Sequence, residues 1–75
     1  MRDYQEHNPY YQYRLASQFY IEEDYQQAAM RIEDAIRKQP EERLFYQLAV
    51  AIYERLGATA KRDSMQGALS TVNAL

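Results

Sequence analysis

The chain predicts an all-α fold of about four helices paired into antiparallel hairpins. Three observations point there. Glycine and proline occur only twice each in 75 residues, too few for a turn-rich β chain. Apolar residues recur at three- and four-residue spacing through four successive segments, the signature of amphipathic helices. The chain also registers on itself at an offset of 33, a period made of helix, turn and helix, as in helical solenoids.

Residues 1–7 have no clear period and read as a flexible lead-in. Asn8 is a good N-cap, and Pro9 suits the first helical position. Tyr11, Leu15 and Phe19, flanked by Ala16 and Tyr20, then supply a helical stripe, so the first helix is expected over 9–22. Asp24 can cap the second helix, with Gln27 in the capping-box position. Its apolar face is Tyr25, Ala28, Ala29, Ile32, Ala35 and Ile36. Arg37 and Lys38 suit its negative end, and Pro40 stops it.

The third helix is expected over 41–56, with Glu41 and Glu42 at its positive end. Its stripe is Phe45, Leu48, Ala49 and Ile52, and Gly57 ends it as a C-cap glycine. The fourth begins near Thr59 or Ala60. It carries Met65, Ala68, Leu69 and Val72 on one face, has no good cap residue at Ala58, and bears the helix-weakening Gly67. One domain of two repeats follows, over 8–40 and 41–75.

Composition narrows the function. There is no cysteine and one histidine, His7. Thiolate metal sites and disulfides are excluded, and a zinc site lacks ligands. Ser17 and Ser64 have no histidine base nearby in the pattern, and no glycine-rich loop could hold a phosphate. The chain is therefore not expected to be an enzyme, and no cofactor or metal is expected. A net charge of −2 argues against nucleic acid. No apolar run is long enough to insert in a membrane. The chain reads as soluble; its compartment stays open, with the cytoplasm slightly favoured.

At the offset of 33, Leu15 falls on Leu48, Ala16 on Ala49 and Phe19 on Ile52. Ile32 falls on Met65, Ala35 on Ala68 and Ile36 on Leu69. Together with "DY" at Asp24 and Tyr25, Ala28 and Pro40 in the first unit, and "RLG" at Arg55 to Gly57 in the second, this resembles the tetratricopeptide repeat. The resemblance spans Asn8 to Val72 and implies a short right-handed α-solenoid. Three positions depart from the family pattern. Gln12 stands where a large aromatic is usual, Glu23 replaces a turn glycine, and Lys61 replaces an alanine that closes the second hairpin.

The resemblance implies that the first helix of each hairpin lines a concave surface. The residues there outside the core stripe are Tyr10, Tyr13, Ser17, Tyr20, Arg43, Tyr46, Val50 and Tyr53. Five of these are tyrosines, whose rigid amphipathic rings suit a protein or peptide partner. Some members of the family clamp acidic C-terminal tails with Lys, Asn and Arg in this groove. Tyr13 and Tyr46 occupy clamp positions, so no such clamp is expected. The stripe of Met65, Leu69 and Val72 is a candidate association face, which makes a homo-oligomer the alternative to a peptide-binding adaptor. Tyr25, by contrast, reads as a core tyrosine at the turn.

Overall fold

The computed structural model describes residues 8–74, the side chains of Asn73 and Ala74 excepted; the lead-in, His7 and Leu75 lie outside the described residues. Four helices follow in order: α1 (Pro9–Ile21), α2 (Tyr25–Lys38), α3 (Arg43–Leu56) and α4 (Thr59–Ala74). Among the described residues there is no strand. The fold is all-α, built of helical hairpins joined by short turns.

The caps explain the boundaries. Asn8 Oδ1 accepts from the Tyr10 N–H at 2.9 Å, and Pro9 fills the first turn. Asp24 Oδ1 accepts from the Gln27 N–H at 3.3 Å and so starts α2. Glu42 Oε1 accepts from the Leu44 N–H at 3.2 Å. The expected start of the third helix is corrected by this bond. Glu42 is the cap itself and Glu41 lies outside, because a carboxylate spent on an N–H of the first turn holds its own backbone extended.

The two turns within the hairpins have the same construction. After α1, the Asp24 N–H reaches the Phe19 carbonyl at 2.8 Å and the Glu23 N–H reaches Tyr20 at 3.1 Å. After α3, the Ala58 N–H reaches Tyr53 at 2.9 Å and the Gly57 N–H reaches Glu54 at 3.2 Å. Both pairs are the paired C-terminal bonds of a Schellman turn. This turn needs a left-handed residue. Gly57 takes it at φ 73°, but Glu23 takes it at φ 66°, a conformation that costs a side-chain-bearing residue roughly 1–2 kcal/mol.

The core is small and rich in alanine. Ala16, Ala28, Ala35 and Ala49 are fully buried and let the helices close up around Ile32, Phe45 and Ile52, the largest fully buried side chains. Leu15 and Phe19, members of the apolar stripe of the first helix, are only half-buried. α1 packs on α2, α2 on α3 and α3 on α4; α1 also touches α3, and the backbone of α4 lies against α3. The described chain is a flat array, 36 × 31 × 14 Å across its Cα atoms.

Core and caps do not share one period. The buried pair Ala16 and Ala49 is 33 residues apart, whereas the turn residues Glu23 and Gly57 are separated by 34, as are the helix starts Tyr25 and Thr59. In the second hairpin the turn arrives one residue later relative to the core. One residue is about 100° around a helix. The offset is confined to the caps: Met65, Ala68 and Leu69 still face inward 33 residues after Ile32, Ala35 and Ile36, though less deeply buried as a set. α2 buries four residues, and none of the described α4 residues is buried.

Candidate functional site

The tyrosines divide into an open set and a buried set. On α1, Tyr10 is 40% exposed, and Tyr13, Ser17 and Tyr20 are half-buried. On α3, Tyr46 and Tyr53 are buried, at 6% and 2% exposure. This corrects the concave face expected from the sequence. Of its α3 members only the exposed Arg43 and the half-buried Val50 reach solvent. Tyr46 and Tyr53 belong to the seam between hairpins, because each hydroxyl finds an acceptor on the first hairpin or its connection.

Those acceptors make the burial tolerable, since an unpartnered buried hydroxyl is costly. Tyr46 Oη donates to the Pro40 carbonyl at 2.5 Å. Tyr53 Oη donates to the Glu33 carboxylate of α2. Burial first, then the hydrogen bond to Glu33 and its charge, push the Tyr53 phenol well above its ordinary range. The Glu33 carboxylate also lies 3.9 Å from Lys61 Nζ of α4, and that ammonium sits 5.7 Å from the Tyr53 ring centre. Lys61, read as a departure from the family pattern, is thus the point where α2, α3 and α4 meet.

The open tyrosines are held at both ends of α1. Tyr10 packs edge-on against Phe45, with ring centres 5.3 Å apart at 63°. Its hydroxyl donates to Glu42 and accepts from Gln39 Nε2 at 3.5 Å. The bond to Glu42 raises the Tyr10 phenol and, with the Leu44 N–H, holds the Glu42 carboxyl below its usual range. Tyr13 lies 5.4 Å from the same Phe45 ring. At the other end, Arg55 Nε donates to Tyr20 Oη at 3.4 Å, and Tyr20 meets Tyr25 edge-on at 5.6 Å. Tyr25 is half-buried against the core.

These contacts fix a direction. The start of α1 meets the start of α3 through Tyr10 and Glu42, and its end meets the end of α3 through Tyr20 and Arg55. The two helices run parallel, with the half-open rings of Tyr10, Tyr13 and Tyr20 along one side of α1. Leu44 on α3 and Ile21 at the end of α1 are exposed apolar residues, at 43% and 73%. Neither was singled out from the sequence, although both are apolar residues outside their helix's core stripe, which is the signal that would have found them.

The α4 stripe expected as an association face is only partly open to solvent. Met65 packs against the core, and Leu69 and Val72 are half-buried. The acidic turn Glu22–Asp24 has one carboxylate spent as a cap, and the described residues contain no group of three or more metal-ligating side chains. No helix among them is long and apolar enough to cross a membrane. No protein-family model, curated protein or solved structure matches the chain.

Proposed function

We propose that the chain is a tetratricopeptide-like interaction module, two hairpins stacked as a short right-handed solenoid, which binds a protein or peptide on the α1 side of the α1–α3 seam. The observation that carries this reading is the row of Tyr10, Tyr13 and Tyr20. Their rings are partly exposed, yet each is propped on a neighbouring ring or side chain. Aromatic side chains already held in place lose little freedom on binding, so more of their contact energy appears as affinity. Tyr and Arg are also the residue types enriched where interfaces concentrate their energy. No step of chemistry is assigned to the module, and it needs no cofactor.

The site is narrower than the eight residues the sequence suggested. It comprises Tyr10, Tyr13, Ser17 and Tyr20 with Arg43, flanked by Leu44 and Ile21. Capture of partners from the source cell on the immobilised chain tests it. Tyr13→Ala and Tyr20→Ala together should abolish capture, and Gln26→Ala on the exposed side of α2 should leave it intact. Equal capture by all three chains overturns the proposal.

A second reading is favoured by one observation, the half-buried stripe of Met65, Leu69 and Val72 on a helix whose backbone packs against α3. Here the chain associates with itself through α4. Sedimentation over a concentration series separates the two. Self-association abolished by Leu69→Lys and Val72→Lys supports assembly, and a monomer throughout removes it.

A further inference from the structure

α4 differs from the other helices in how it is held. Its backbone packs on α3, with a side-chain tie to Glu33 of α2, and none of its described side chains is buried. Its polar ties cluster in its first turns: Lys61 to Glu33 at 3.9 Å, Lys61 over the Tyr53 ring, and Arg62 to Glu54 at 3.7 Å. Most of these side chains are substantially exposed, so the ion pairs are weak and sensitive to salt. Further along, Gly67 lowers helix propensity. The Thr71 hydroxyl bonds back to the Gly67 carbonyl at 3.1 Å, a competing contact that loosens a helix. By contrast α1, α2 and α3 share the buried core and are tied together at both ends of α1.

We propose that α4 unlatches from α3 as a unit while α1, α2 and α3 stay folded, with Lys61 and Arg62 supplying the salt-sensitive part of what holds it. Opening withdraws Lys61 from the Tyr53 ring and from Glu33, and it removes Met65 from the core it packs against. It leaves the Tyr10 and Tyr20 ties in place. The chain thus has two states that differ at one helix, and salt shifts the balance toward the open one. The device is independent of any partner on the tyrosine face and is measured without one.

Amide hydrogen exchange on the intact chain tests it. The α4 amides should exchange at least about tenfold faster than the slowest amides of α2 and α3, as expected of a unit that opens below the global transition. Raising the salt should widen that gap. Lys61→Ala with Arg62→Ala should speed α4 exchange further and leave α2 unchanged. A Cβ at Gly67 meets nothing within 4 Å, so Gly67→Ala should slow α4 about fivefold through helix propensity alone. Exchange of α4 and α2 at one common rate, moving together in every variant, overturns the proposal. So does a double variant that speeds α2 as much as α4.

Discussion

Glu23 and Gly57 occupy the same place in two identical turns, and only one of them suits it. Glu23→Gly should stabilise the fold by about 1 kcal/mol, since the left-handed conformation no longer crowds a side chain. The denaturation midpoint in urea reads this directly, with an unchanged slope. The sequence shows this position clearly, because a missing turn glycine stands out. Tyr46 and Tyr53 were not legible in the same way. A tyrosine has one apolar face and one polar tip, so helical spacing alone does not tell a groove tyrosine from a core tyrosine whose hydroxyl has found an acceptor. The acceptor of Tyr53 is Glu33, 20 residues away, a distance that no local pattern reports. Tyr53→Phe should therefore cost about 1.5–3 kcal/mol, the net worth of a hydrogen bond to a charged group. Tyr53→Ala should cost roughly 3–5 kcal/mol, as for other large aromatics removed from a core. Thermal unfolding of the two variants separates the hydroxyl from the ring.

At the scale of elements, Glu42 serves two helices at once. It caps α3 through the Leu44 N–H and takes the Tyr10 hydroxyl of α1. Both bonds favour the ionised carboxylate, so its folded pKa lies below its unfolded one. The stabilisation is fully present above the ordinary carboxylate range, near about 4.3, and is lost as pH falls through the lower folded value. Glu42→Gln should flatten the fall in melting temperature between neutral and acid pH, by a margin that Glu41→Gln, exposed and outside the helix, should not reproduce. The helices themselves were readable from the sequence because their punctuation is local. Asn8, Pro9, Asp24 and Gly57 each act within a few residues. The role of Glu42 in tying α1 to α3 was not, because it depends on how two hairpins dock.

At the scale of the molecule, the ring of Phe45 is the joint between hairpins. It is fully buried, and two tyrosines of α1 rest on it. A chain this small has a total stability of roughly 4–11 kcal/mol, and Phe45→Ala should remove about 3–5 of it. Circular dichroism should show helix content falling near ambient temperature. Gln12, its counterpart 33 residues earlier, is buried too, and its carbonyl takes a 3.5 Å contact from Arg31. The first hairpin thus places polar groups where the second places a ring.

The one-residue difference between core and caps reaches beyond packing. Identical units that follow one another by a constant operation trace a screw, and any number of them can be added along its axis. Two units are related by a single operation, and here core and turn give it different offsets: Gly57 follows Ala49 by one residue more than Glu23 follows Ala16. A tandem gene built from residues 8–40 alone would repeat a single phase and propagate evenly. One built from the second unit would inherit a different pitch. The natural order of the two hairpins is therefore not interchangeable, and swapping them should yield a chain that keeps its helices but loses the contacts that lock α1 against α3.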